Sequence, residues 1–241
     1  MYSYLKKIIK KLPFSESTRK LLRRIIKPAA FYFCRSTTGP LSNYYGFDRG
    51  VPIDRFYIEN FLKQNQKDIH GTCLELLNNN YTTTYGKEKV VKSDVLDLDE
   101  KNKMANIFDD LRHLKKIADN SYDCIILTQV FQFIDNVDAG ISECHRILKS
   151  GGVLLVTLPS ISRIDCVSGV EGDYWRFTEA SAKYLFEKKF SSKQLNISTY
   201  GNARSGIYFY AGLAQEDTSS RILGKNDPNF PLIITVKAVK P

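Results

Sequence analysis

Two kinds of apolar pattern divide the chain. In the first 35 residues, Tyr4, Leu5, Ile8, Ile9 and Leu12 recur at helical spacing with Lys6, Lys7, Lys10 and Lys11 between them. Leu21, Leu22, Ile25, Ile26 and Ala29 repeat that spacing around Arg19, Lys20, Arg23, Arg24 and Lys27. Both runs predict short amphipathic helices, ended by Pro13 and Pro28. Residues 36–52 are rich in Gly, Pro, Ser and Thr and read as a linker. Pro52 stands where a helix should begin, and Ile53, Tyr57, Phe61 and Leu62 follow in helical register up to Gly71.

Beyond Thr72 the pattern changes to short apolar runs alternating with amphipathic stretches. Cys73–Leu77, Val90–Val95, Asn106–Phe108, Asp123–Thr128, Val153–Leu158, Leu195–Tyr200 and Leu232–Val239 read as seven strands. Val137, Ile141, Cys144 and Leu148 mark one helix face, closed by Ser150-Gly151-Gly152, and a second helix spans residues 178–189. Strands that are apolar throughout are buried on both faces. The pattern therefore predicts an α/β fold with a doubly wound, mainly parallel seven-stranded sheet and a basic helical N-terminal extension. The expected divisions are 1–35 (extension), 36–70 (linker and lid helix) and 71–241 (α/β domain).

Charge refines this picture. The chain of 241 residues has a net charge of +9. Residues 1–35 contain ten Lys and Arg against one acid, Glu16, so the whole excess lies in the extension and the rest of the chain is balanced. A basic amphipathic helix suits an anionic membrane surface, packing on the domain, or nucleic acid. Nucleic acid is disfavoured because no basic surface continues into the neutral domain. Neither apolar run reaches the roughly 20 residues that a membrane span needs. The five cysteines (34, 73, 124, 144 and 166) have neither metal-ligand nor disulfide-framework spacing. With no signal peptide, they point to reduced thiols in the cytoplasm, on the inner face of the membrane if the extension binds lipid.

Ligands of such sheets bind outside the carboxyl ends of the strands, where strand order reverses. The first strand carries Glu75, and Asp94 follows nineteen residues later, the distance at which an acid can accept both hydroxyls of a ribose. Between them, Leu76 to Gly86 (LLNNNYTTTYG) shows no glycine triplet and no helical periodicity. A pyrophosphate would be poorly held there, which argues against a dinucleotide enzyme.

Two further stretches carry a resemblance. Asp119-Asn120-Ser121-Tyr122-Asp123-Cys124-Ile125-Ile126-Leu127, followed by Glu143-Cys144-His145-Arg146-Ile147-Leu148-Lys149-Ser150-Gly151-Gly152-Val153-Leu154, resembles strand four, the next helix and strand five of class I S-adenosylmethionine-dependent methyltransferases of the type 11 kind. Tyr174-Trp175-Arg176-Phe177-Thr178 resembles an element of methyltransferases from polysaccharide-building gene clusters. The resemblance implies a Rossmann-like domain with S-adenosylmethionine as cofactor. It implies that Glu75 and Asn78 organise the loop near the methionine end and Asp94 holds the ribose. Asp110 and Leu111 would lie beside the adenine, and Thr128 and Gln129 close to the sulfonium. The chain departs from the family where Leu77 and Asn79 replace the usual glycines of the first loop.

The acceptor side is expected to involve Tyr45, Arg49 and Arg55 before the sheet and Tyr174, Trp175 and Arg176 after strand five. Neither His70, His113 nor His145 is a convincing general base, so the catalytic residue is left unassigned. The leading expectation is methyl transfer to a small-molecule or saccharide acceptor, through oxygen. The alternative is a methyltransferase-fold scaffold, inactive for want of the glycines, beside glycan-building enzymes.

Overall fold

The computed structural model describes residues 38–165 and 167–241; the two basic helices expected before residue 36 lie outside them. Helix α1 (Ile53–Gln64) begins after Pro52. The strands are β1 (Gly71–Leu76), β2 (Val90–Asp97), β3 (Ile107–Phe108), β4 (Tyr122–Thr128), β5 (Leu148–Pro159), β6 (Leu195–Tyr200) and β7 (Ile233–Val239). The later helices are α2 (Val137–Ile147), α3 (Gly169–Gly172), α4 (Glu179–Phe186), α5 (Ala203–Tyr210) and α6 (Ser220–Leu223). The sheet runs β3-β2-β1-β4-β5-β7-β6, and β7 runs opposite to the other strands, antiparallel to both β5 and β6. Strand order reverses between β1 and β4, which places the crevice for a ligand at their carboxyl ends.

Side-chain alternation explains the continuous apolar runs. Leu74, Ile125, Leu127, Leu154 and Val156 face one layer, shared with Ile141 and Cys144 of α2 and Ala182 and Phe186 of α4. Cys73, Cys124, Ile126, Val153 and Leu155 face the other, against Ile58, Phe61 and Leu62 of α1. No helix among the described residues is long and apolar enough to cross a membrane.

Three local expectations are corrected. Helix α2 stops at Ile147, before the glycine pair, because β5 already starts at Leu148; Gly151 and Gly152 lie within that strand. The loop after β1 does contain helical structure, one π-turn at Thr82–Gly86. Residues 38–52 are a packed strap rather than a linker. The Leu41 amide donates to Ala211 O, the Gln215 amide donates to Val51 O, and Pro52 bridges Ala214.

The strap is also held by charge. Arg49, expected on the acceptor side, is 2% exposed, and its Nε lies 2.6 Å from the buried Asp217 carboxylate. A guanidinium locked to its counterion in the interior is structural. Asp94 is likewise corrected. Strand β2 continues past it to Asp97, so Asp94 lies inside the strand, fully covered. Its carboxylate accepts from Lys92 Nζ (2.7 Å), Asn106 Nδ2 (2.7 Å) and Tyr122 Oη (2.9 Å), which fixes the β2–β4 side of the sheet rather than a ribose.

Arg49→Met leaves Asp217 buried without its guanidinium and is expected to cost about 3–5 kcal/mol, read as a lower urea midpoint. The Asp94 bonds predict a pH signature. Burial pushes the Asp94 carboxyl up, but the bonds from Lys92, Asn106 and Tyr122 outweigh it and hold the pKa below its ordinary value. A depressed carboxylate stabilises the fold above its unfolded pKa of about 3.9, and that stability disappears as pH falls through the lower folded value. Asp94→Asn should therefore melt at a lower temperature than the parent at pH 7. The two melting curves should begin to approach each other below about pH 4 and converge only below the depressed folded value.

Candidate active site

The carboxyl end of β1 is shaped by Glu75. Its side chain is buried, and both carboxylate oxygens turn onto the next segment. Oε2 accepts from the Thr82 amide and hydroxyl, each at 2.8 Å, and Oε1 from the Tyr81 amide at 3.3 Å. Burial pushes the Glu75 carboxyl up, and these bonds oppose it. Glu75 therefore fixes the loop that follows β1. Within that loop Leu77 adopts φ 66°, the left-handed backbone that glycine would take freely. Its side chain is 59% exposed. Asn78 turns back on the loop, donating from its amide to Leu76 O and accepting from the Asn80 amide.

Asp97 occupies the end of β2, the place a ribose-binding acid should hold. The sequence reading passed over it, although it directly follows the buried pair Val95-Leu96. Its Oδ1 accepts from the Asp99 amide (3.0 Å) and its Oδ2 from Asn102 Nδ2 (2.6 Å). A carboxylate offers about four acceptor positions, so two remain for a diol. After β3, Asp110 pairs with Arg112 (2.6 Å), which holds its carboxyl below the ordinary range, and Arg112 reaches on to Asp135 (2.8 Å). Leu111 sends its side chain into the core.

At the end of β4, Thr128 is half-buried and Gln129 adopts φ 56°. The Gln129 amide donates to Thr157 O (3.0 Å) and its side-chain nitrogen to Thr157 Oγ1 (3.3 Å). Non-glycine residues with left-handed backbone thus end both strands that flank the crevice, and such strain collects at functional sites. The short turn Phe131–Phe133 follows, where Gln132 Oε1 is buried without a hydrogen-bond donor.

From α1, Arg55 is half-buried. Its Nη1 has no hydrogen-bond partner and lies 3.6 Å from Asp54 Oδ2. Tyr81, Glu59 and Asp54 surround the guanidinium. The Tyr81 hydroxyl, pushed up to about 12 chiefly by burial, stays protonated.

The post-β5 residues divide. Arg176, expected to meet substrate, is wholly engaged. Nε donates to Ser162 O, Nη1 to Asp173 and Trp175 O, and Nη2 to Arg163 O and Asp173. All five of its N–H groups are used within the protein, which corrects that expectation. The Trp175 indole donates to Ile134 O (2.9 Å), while Tyr174 is exposed and donates only its amide, to Gln132 O. Tyr45 bonds Asp165 and lies under Arg163. Of the three histidines, His70 precedes β1, His113 is exposed beyond β3 and bridges Asp110, and His145 packs edge-on against Phe190.

These residues suit S-adenosylmethionine. The Arg55 guanidinium near the loop after β1, whose Nη1 lacks a hydrogen-bond partner, has the charge to meet a methionine carboxylate, and Asp97 has capacity for the ribose diol. A sequence profile described as "Methyltransferase domain" matches residues 70–156. No curated protein matches the chain. A SAM-dependent methyltransferase from Archaeoglobus fulgidus is 13% identical and superposes with a TM-score of 0.53, over 77% of this chain and 94% of that one. The [4+2]-cyclase SpnF gives 0.52 at 13% identity, over 77% and 80%. Phosphoethanolamine N-methyltransferase 2 from Haemonchus contortus, in complex with S-adenosyl-L-methionine, gives 0.52 at 13% identity. There the match covers 98% of this chain and 59% of that one. At such identities the likeness is one of fold, and a cyclase shares it; the profile over β1 to β5 narrows the assignment. Residues 70–156 match a methyltransferase domain, and the chain shares the fold of S-adenosylmethionine-dependent methyltransferases.

Proposed function

We propose that this chain methylates an oxygen of a small polar acceptor, a saccharide hydroxyl being the class that fits best. The observation that carries the reading is Gln132 Oε1, a buried carbonyl oxygen just past β4 that lacks a donor. A hydroxyl can donate its proton to such an oxygen and keep a lone pair free for attack; a group without an N–H or O–H cannot. When bound, the cofactor supplies a methyl group already activated by a positively charged sulfur. The chain's own task is then alignment and exclusion of water, which can contribute several orders of magnitude. Arg55 holds the methionine carboxylate and Asp97 the ribose. Asp110 and the Leu111 backbone border the adenine. Thr128 and Gln129 line the methyl end, and the strap at Tyr45 covers the acceptor side.

The scaffold alternative keeps one supporting observation, Leu77 and Asn79 in place of the loop glycines. Calorimetry with S-adenosylhomocysteine separates the two. The active reading expects micromolar binding, weakened about tenfold or more in Arg55→Gln and in Asp97→Asn, since each loses a charge-assisted bond. It also expects transfer of labelled methyl to a panel of monosaccharides. No heat at millimolar ligand would favour the scaffold.

The basic segment 1–35 is proposed to contact an anionic membrane surface, each Lys or Arg adding about 1 kcal/mol near the lipid. Vesicles containing phosphatidylserine should retain the full chain and release a version starting at residue 36. Equal retention of both would remove this reading.

A further inference from the structure

We infer that the loop after β5 binds an oxyanion carried by the acceptor, a carboxylate or phosphate, through the side-on face of Arg163. The inference rests on the methyl-transfer reading of the same crevice. Arg163 lies four residues past Pro159, at the carboxyl edge beside β4. Its backbone is fixed from outside, because Arg176 donates to Ser162 O at 3.2 Å and to Arg163 O at 2.7 Å. The side chain is not used in this way. Nε and Nη2 are both buried, and neither has a hydrogen-bond partner. Those two nitrogens share one edge of the planar guanidinium. Their N–H groups run parallel, at the spacing of two oxygens on one carbon or phosphorus.

Neighbouring carboxylates do not meet this edge. Asp165 accepts from the Tyr45 hydroxyl on Oδ1 (3.2 Å) and from the Val167 and Ser168 amides on Oδ2 (2.9 Å each). Asp173 is taken by Arg176 and by the Asp165 amide. Among the described residues, Arg163 makes no ion pair. Its recorded contacts are with Tyr45: the guanidinium stands 4.3 Å from the centroid of the ring, a cation–π contact, and interacts with the Tyr45 hydroxyl, while the ring also stacks on Phe209 at 6.0 Å. Tyr45 adopts φ 55°, a left-handed backbone rare for an aromatic residue. Native proteins rarely leave buried donors unmet, and strained backbone collects where ligands are clamped. Here a strained aromatic residue covers an unmet pair of charged donors, an arrangement that an arriving oxyanion completes, with Tyr45 as its lid.

The test uses the full chain saturated with S-adenosylhomocysteine and titrated calorimetrically with glucuronate, glucose 6-phosphate and glucose. At least one anionic sugar should bind about tenfold or more tightly than glucose, the value of a bidentate charge-assisted pair; which one tells carboxylate from phosphate. Arg163→Gln should remove that preference, and Arg163→Lys should restore only part of it, because an ammonium cannot present the paired edge. S-adenosylhomocysteine affinity should stay unchanged in both variants, which reports that they fold. Anionic sugars binding no better than glucose, or binding Arg163→Gln as they bind the parent, would overturn the inference. If S-adenosylhomocysteine itself fails to bind, the cofactor reading falls, while titration of the ligand-free chain still tests Arg163.

Discussion

The chain has to turn away from β1 directly over the crevice without the glycines that make such a turn easy, and Glu75 is the group that holds it there. A buried carboxylate is costly unless its oxygens are met. Those of Glu75 are met by two amides and a hydroxyl from Tyr81 and Thr82. Bonds to a charged acceptor contribute about 1.5–3 kcal/mol each and work against both the burial of Glu75 and the roughly 1–2 kcal/mol that a left-handed leucine costs at position 77. The same bonds fix where Tyr81 starts, and Tyr81 in turn stands beside Arg55. The cofactor end of the crevice thus depends on one acid that need not touch the cofactor.

Much of the sheet was legible because its physics is local. A strand buried on both faces must be apolar throughout, and β4, β5 and β7 read that way within a residue or two at most of their ends, apart from the start of β5. The ends were harder to place. Asp94 looked like the end of β2 because an acid seldom sits inside a strand, and nothing nearby announces that Tyr122 and Asn106 will cover it. Asp97 was visible in principle, as the first acid after the last buried pair. Residues 38–52 and 203–223 were not legible at all. Their structure comes from pairing with each other, and Arg49 and Asp217 are far apart in sequence. Tyr45, Arg55 and the loop after β5 could be nominated as acceptor-side elements from composition, whereas their bonding could not.

Four arginines near the crevice show why residue type alone misassigns function. Arg49 and Arg176 have counterions whose positions match their donors, and such pairs fix backbone. Arg55 and Arg163 are as enclosed as a guanidinium commonly is, yet keep donors that nothing in the protein meets. Burying an unmet donor works against stability, and the interior otherwise shows few instances. The distinction between a structural and a binding arginine therefore lies in the completeness of its bonds.

That criterion also orders the crevice. Among the described residues, the buried side-chain atoms without a hydrogen-bond partner include Arg55 beside the β1 loop, Gln132 past β4, and Arg163 past β5. Two cations flank one neutral carbonyl oxygen, at the carboxyl ends of consecutive strands in the sheet. A cofactor carrying a carboxylate at its amino-acid end would satisfy the first. An acceptor carrying a hydroxyl and an anionic group would satisfy the other two together. The domain outside residues 1–35 has no net charge, so on the proposed reading this local arrangement rather than a long-range field would select the acceptor. Selection of this kind is sharp, because an acceptor lacking either group leaves a buried partner unpaired.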